Sequence, residues 1–279
     1  MTTATNHPTT NITGFPPVPA EAHLRASGKY FELLAQALSE PGIVSAAYQR
    51  FHRFSLGNQS LAAMQLLQRG MPLSPIASYT HWKSLGRSIR KGERALALFV
   101  PVTVKKSEQD AETDEEVFTW FKLAARWFSL EQTEGPEYAE ALVIPAWNPE
   151  QALEQLNITA ECFAMVNGNI QGYAQGRRIA VNPLAEFPHK TRFHELAHVV
   201  LGHATENDCW DMNILTQQVQ EAEAEGAAFI LCALLELPGL ESSRGYIQSW
   251  LNGTALPEKS AQRIFSAAQT IMEAGRPQL

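Results

Sequence analysis

His194-Glu195-Leu196-Ala197-His198 sets two imidazoles four residues apart with a carboxylate between them. Four residues advance an α-helix by about 400°, so both imidazoles leave one face and their nitrogens can share one tetrahedral zinc. Glu195 stands beside them, where a carboxylate can accept a proton from water whose pKa the metal has lowered towards ~7. Chance could produce this spacing. Against chance, Phe193, Leu196, Ala197, Val199, Val200 and Leu201 make the segment apolar almost all round. Two imidazoles and a carboxylate buried there need compensation, and a metal supplies it.

Zinc needs a further protein ligand, and two residues compete for the place. His203 lies nine residues after His194, about half a turn out of phase, and follows Gly202, a helix terminator; it reads as a cap or a solvent-facing group. Glu225 is the better candidate. It heads Glu225-Gly226-Ala227-Ala228-Phe229-Ile230-Leu231-Cys232-Ala233-Leu234-Leu235, a segment too apolar for a surface helix, so its carboxylate must be paired or coordinated. Glu221 shares its face, whereas Glu223 sits about 200° away and reads as exposed. Both suit an acidic helix start favoured by the helix dipole. The expected site is therefore Glu195 as base with His194, His198 and Glu225 on Zn2+, another divalent transition metal being the alternative.

A second constellation lies upstream. Trp82-Lys83-Ser84-Leu85-Gly86-Arg87-Ser88-Ile89-Arg90-Lys91-Gly92-Glu93-Arg94 carries five cations and one anion and follows Tyr79. Cations neutralise phosphates while aromatic faces stack on unpaired bases, a mixture that suits single strands better than duplex. Composition alone is equally consistent with a solvated turn around a core tryptophan, and Trp82 is the weakest member of the set. Arg50, Arg53 and Asn58, with His52, extend the surface through Tyr48-Gln49-Arg50-Phe51-His52-Arg53-Phe54. Charge partition favours a nucleic-acid partner: Glu21 to Lys106 holds 12 Lys or Arg against 4 Asp or Glu, a balance of +8, while Ser107 onward holds 10 against 25, a balance of −15. The net charge of −7 conceals this division. No helix-turn-helix, zinc ribbon or phosphate-binding glycine loop occurs, so base-specific readout of duplex is not supported.

His194 to His198 together with Glu225-Gly226-Ala227-Ala228-Phe229 resembles the gluzincin-like metallopeptidase domains. The whole chain is similar to the ArdC-type antirestriction proteins. Further matches are Trp82 to Gly92, Phe128-Ser129-Leu130-Glu131-Gln132, Gln171-Gly172-Tyr173-Ala174 and Tyr246-Ile247-Gln248-Ser249-Trp250-Leu251, which together span most of Ala47 to Ala274. The resemblance implies a single-stranded-DNA-binding domain joined to a zincin-like domain, and protection of incoming plasmid or phage DNA from host restriction. It leaves two competitors: a DNA-triggered metallopeptidase acting on a repressor or a DNA-bound protein, and a DNA-binding protein whose zinc is structural or vestigial. Tyr173 and Tyr246 are weak candidates for donors to a developing oxyanion.

The elements that must position these residues read as an α+β protein. Residues 1–20, rich in Thr, Asn and Pro, form a disordered lead with neither signal-peptide nor lipid-anchor pattern. Residues 21–146 form the α+β DNA-binding domain, with helices over Lys29 to Leu38 and Ile43 to Arg69, the latter interruptible at Gly57. Strands follow over Ala95 to Val104 and Val117 to Phe128, across an acidic loop from Ser107 to Glu116. Residues 147–279 form the mainly helical zincin-like domain with a small sheet, entered through a Pro145-Ala146-Trp147-Asn148-Pro149 linker. It comprises a helix from Glu150 to Leu156, strands at Ile170 to Tyr173 and Arg177 to Val181, the two metal helices, and helices near Ser243 to Leu251 and Pro257 to Ala274. Cys162, Cys209 and Cys232 lack ligand spacing and read as free thiols in a reducing cytoplasm. No apolar run is long enough to span a membrane.

Overall fold

The structure is a computed structural model that describes residues 30–104, 118–139, 143–164, 169–204, 214–253 and 257–277. The acidic loop, the lead and Cys209 fall outside them. Three helices open the described chain: α1 (Tyr30–Ser39), α2 (Ile43–Phe51) and α3 (Leu56–Gln68). The expected long helix is thus two. The break falls at 52–55, where Ser55 caps α3 by accepting from the Asn58 N–H, which leaves Gly57 inside the helix. That glycine serves a close approach: a Cβ there would lie 2.9 Å from the Tyr30 ring.

Strand β1 (Ile76–Ser78), the short helix α4 (Tyr79–Ser84) and β2 (Ser88–Ile89) lead into the long hairpin of β3 (Leu96–Val104) and β4 (Phe118–Ser129). The sheet order is β1-β4-β3, antiparallel throughout, so β3 is an edge. An edge leaves backbone groups unpaired, and α3 covers them. Gln65 accepts from Ala97 N–H and donates to Ala97 C=O at 2.9 and 2.8 Å, while Asn58 does the same for Phe99 at 2.8 and 3.0 Å. β5 (Thr133–Glu134) pairs with β2.

The second half begins with α5 (Pro149–Gln155) and a sheet of order β6-β8-β7, built from β6 (Thr159–Glu161), β7 (Gly172–Gln175) and β8 (Arg178–Val181). The β7–β8 hairpin turns at Gly176, whose φ of 57° favours glycine. The parallel strand β6 escapes sequence reading, because a three-residue stretch carries no usable period. Four helices follow: α6 (Pro188–Val200), α7 (Ile214–Leu234), α8 (Leu240–Gly253) and α9 (Glu258–Ala274).

α7 is the central element. Ala222, Ala224, Phe229, Ile230, Leu231 and Leu234 are all buried, because α6, α8, α9 and α2 pack around it. Each such leucine-sized side chain contributes roughly 1.5–3 kcal/mol of burial. One hydrophobic cluster runs from Leu34, Phe51 and Leu66 through Leu98 to Leu196, Phe229 and Ile271, crossing the expected domain boundary. At that boundary Trp147 packs edge-on against Phe193 and donates to the Ile271 C=O at 3.1 Å, while Asn148 N–H donates to Gly275 C=O at 2.7 Å. The Pro-rich segment is pinned to α6 and α9.

Candidate functional site

α6 presents its two histidines one turn apart, and their Nε2 atoms stand 3.0 Å from each other. Across from them, α7 supplies Glu221, with Oε2 3.2 Å from His194 Nε2 and Oε1 3.4 Å from His198 Nε2. These ligand-capable atoms lie within 4.8 Å of one another. Tetrahedral donors at ~2.1 Å from a metal are roughly 3.4 Å apart, so the cluster already has the spacing that a divalent ion demands. Two nitrogen lone pairs and a carboxylate suit a borderline transition metal.

The grouping differs from the expectation at its third member. Glu225 shares the face of Glu221 but sits one turn further along, and its carboxylate is held by Lys190 Nζ at 2.7 Å and His194 Nδ1 at 3.2 Å. It meets the back of the His194 ring, away from the Nε2 cluster. Its burial, which makes it the favoured ligand from sequence, is compensated by Lys190. Glu221 is half-exposed, with side-chain exposure of 52% against 13% for Glu225.

Glu223 departs from the expected solvent exposure. His203, expected as a cap or a solvent-facing group, follows the helix end with its N–H on the His198 C=O at 2.8 Å but turns its ring inward. Both side chains are enclosed. His203 Nδ1 lies 3.3 Å from His198 Nδ1, and its Nε2 lies 3.1 Å from Glu223 Oε2. Glu223 in turn accepts from Arg263 Nε at 2.9 Å. Helical phase alone puts Glu223 opposite Glu221, but α7 has no solvent face there because α9 covers it.

Electrostatics follow from this crowding. Burial pulls the His194 imidazole down, yet the hydrogen-bonded carboxylates of Glu221 and Glu225 outweigh it and lift it to about 10. Burial opposes ionisation of Glu225, but His194 and Lys190 hold it at about 2. Glu221 is likewise driven well below the carboxylate range, against its burial, by the two histidines. Glu195 moves the other way: its burial raises it, a direction that suits a proton acceptor.

Glu195 lies on the side of α6 that meets the β7–β8 hairpin. A Cβ on Gly172 would stand 2.8 Å from Glu195 Oε1 and 2.7 Å from Thr191 Cγ2, so only glycine lets β7 approach this closely. Tyr173, next along β7, is half-buried and tilted against Phe163 with centroids 6.1 Å apart. Tyr246 falls on α8, and its side chain lies outside those described.

The basic front divides into residues that build the fold and residues that face solvent. Trp82 is 1% exposed, donates to the Phe128 C=O at 2.9 Å and packs edge-on against Tyr138, so its faces are closed to a base. Asn58 is engaged on both sides of its amide by Phe99. The Arg87 guanidinium donates to Thr133 Oγ1 at 2.8 Å and to the Thr133 and Pro136 carbonyls. Arg50 is half-buried in the last turn of α2. Exposed are Arg53, Lys83, Lys91, Arg94 and Arg90, the last 3.9 Å from Glu93, together with Tyr79 at 52%.

Sequence reading misses Lys122 and Arg126, both exposed on β4, the latter at the bulge where the register against β3 shifts. Phe121 beside them is 56% exposed. Because Ser78 pairs with Trp127, Tyr79 leaves the sheet next to Arg126. The available signal is two cations inside a segment that the sequence already reads as a strand.

An α+β protein in which a histidine-bearing helix faces a glutamate-bearing helix is the class these elements define. Residues 36–127 match the N-terminal domain of anti-restriction factor ArdC. The described fold is similar to the crystal structure of the antirestriction ArdC protein from R388 plasmid in its metal-free form, with 22% identity, 88% of this chain and 94% of that one covered, and a TM-score of 0.51. It is similar also to the Mn(II)-bound form of that protein, with 20% identity, 88% and 97% covered, and a TM-score of 0.53. No curated protein matches. Residues 36–127 thus match the ArdC N-terminal domain, and the described chain shares the fold of the R388 protein. Among the described residues, no helix is long and apolar enough to cross a membrane.

Proposed function

We propose that this protein protects incoming DNA from restriction by binding single strands through its N-terminal domain, residues 21–146, and that residues 147–279 carry a metallopeptidase-like centre. His194, His198 and Glu221 hold the divalent metal, with zinc the ion that best suits two imidazoles and one carboxylate and Mn(II) the ion named for the R388 protein. When bound, the metal supplies Lewis acidity and lowers the pKa of water. Glu195 takes the proton, aided by a buried site that raises its affinity for one. Glu225, fixed by Lys190, orients His194 from behind. The observation that carries this reading is the convergence of two Nε2 atoms and one carboxylate within 4.8 Å beside Glu195.

For DNA, the exposed set Tyr79, Lys83, Arg90, Lys91 and Arg94 with Lys122 and Arg126 supplies cations around an accessible ring. The deciding experiment pairs metal analysis of the purified chain with fluorescence anisotropy on single-stranded and duplex oligonucleotides, repeated for Glu195→Gln. Uptake of about one metal per chain and tighter binding to single strands are expected. Binding that is equal or tighter on duplex, or absence of metal uptake, overturns the corresponding half.

A further inference from the structure

The two histidines of the candidate metal centre are held from behind in different ways. His194 Nδ1 meets a carboxylate directly, that of Glu225. His198 Nδ1 meets another imidazole, His203, whose far nitrogen reaches Glu223 Oε2 at 3.1 Å and Arg263 Nη2 at 3.0 Å. Resting on the reading of His194, His198 and Glu221 as metal ligands, we propose that His203 and Glu223 are positioning residues that lock His198 in the tautomer with a free Nε2 lone pair.

A contact between two neutral imidazole nitrogens requires one N–H and one lone pair. If His203 donated, His198 would carry its own proton on Nε2, the atom aimed at Glu221 and at the metal. If His198 donates from Nδ1, its Nε2 is open to a metal. The far side of His203 can support the second arrangement. With Nδ1 accepting, His203 must carry its proton on Nε2, and Glu223 is there to receive it; a carboxylate only accepts. Arg263 at the same nitrogen would favour the opposite tautomer, because a guanidinium only donates. Its Nε donates to Glu223 Oε2 at 2.9 Å. Of the two Nη2 N–H groups, one donates to the Leu201 C=O at 3.0 Å while the other faces His203 Nε2, so Arg263 and Glu223 compete for that nitrogen. A metal on His198 Nε2 obliges His198 Nδ1 to donate and decides for Glu223. Arg263 Nε holds the Glu223 carboxylate where it can receive the His203 Nε2 proton. The enclosure is tight, with side-chain exposures of 4% for His203 and 5% for Glu223, so bulk water does not compete for these bonds. Sequence spacing excludes His203 as a ligand without giving it this place.

The test measures metal affinity of the full chain and of His203→Ala, His203→Asn and Glu223→Gln by competition with a chelating indicator. The visible absorption of the Co(II) forms provides a second readout, and melting of the metal-free proteins controls for folding. His203→Ala should bind 10- to 100-fold more weakly and shift the Co(II) bands. His203→Asn, whose Oδ1 replaces Nδ1 as acceptor, should recover most of the affinity, and Glu223→Gln should fall between. Ala binding within twofold of wild type with a superimposable Co(II) spectrum overturns the proposal, as does Asn binding no better than Ala. If the Ala variant does not fold, Glu223→Gln decides: unchanged affinity and spectrum overturn it. A wild-type chain that takes up no metal overturns the metal centre itself and this inference with it, whereas normal wild-type uptake with indifferent variants overturns this inference alone.

Discussion

In the helical half of the molecule the charged side chains converge, while on the basic front they divide. Around α6 and α7, Glu221, Glu223 and Glu225 each find a histidine, and His194, His198 and His203 are each engaged on both ring nitrogens. Burial forces this, since an ionised group taken from water must be compensated locally. On the front, solvent removes that demand. Trp82, Asn58 and Arg87 are engaged by the fold, and what remains for a ligand is the set left exposed. A buried site declares its residues through their partners; a surface site is defined by what the fold has not used.

The comparison can be broken most sharply at the metal. Glu221→Ala should abolish metal retention through dialysis, because two imidazoles alone leave an open shell, whereas Glu225→Ala should weaken binding by only ~10–100-fold. Elemental analysis of both variants decides, and retention by the Glu221 variant with loss from the Glu225 variant would return the third ligand to Glu225. Glu195→Gln should keep fold and metal while lowering any peptidase activity by about 10²–10⁴-fold, since an amide cannot take up the proton. Undiminished cleavage of a validated substrate by that variant would remove Glu195 from the chemistry.

On the front, Trp82 and Tyr79 should separate cleanly. Trp82→Ala should cost about 3–5 kcal/mol of stability, read by denaturant unfolding, from the loss of a buried ring. It should leave the DNA affinity of the folded fraction unchanged. Tyr79→Ala should do the reverse, weakening single-strand binding by ~1–3 kcal/mol with little change in salt dependence, because stacking releases no counterions. If Trp82→Ala alone reduced affinity, the ring would have to leave the core on binding. The smallest effect belongs to the cations. Replacing Arg90 and Lys91 with Ala should flatten the salt dependence by about 0.7 for each phosphate that is no longer neutralised, and Lys122 with Arg126 should act alike if β4 shares the surface. An anisotropy series across salt that shows no change in slope for either pair would move the DNA elsewhere.

Much of the frame is legible in the chain. The hairpin of β3 and β4, the β7–β8 turn at Gly176 and the C-terminal helices follow from strand alternation, a glycine in the left-handed region and helical periodicity. The break between α2 and α3 is not where a glycine suggests, because Ser55 as a cap outweighs Gly57 as an interrupter, and Gly57 answers to Tyr30 across the fold.

Sequence by itself determined which residues could do chemistry. The spacing of His194 and His198 obliges any helix to present them on one face, with Glu195 beside them, and the same rule sets Glu221 and Glu225 in one row. Only the tertiary structure decided which turn of that row meets the Nε2 atoms, and that His203 and Glu223 lie behind His198 rather than in solvent. The reason is geometric. Periodicity fixes the direction of a side chain around its own helix axis, but one turn of displacement along the axis is about 5.4 Å, more than the width of a metal's ligand shell, and that offset is set by how α6, α7 and α9 pack together.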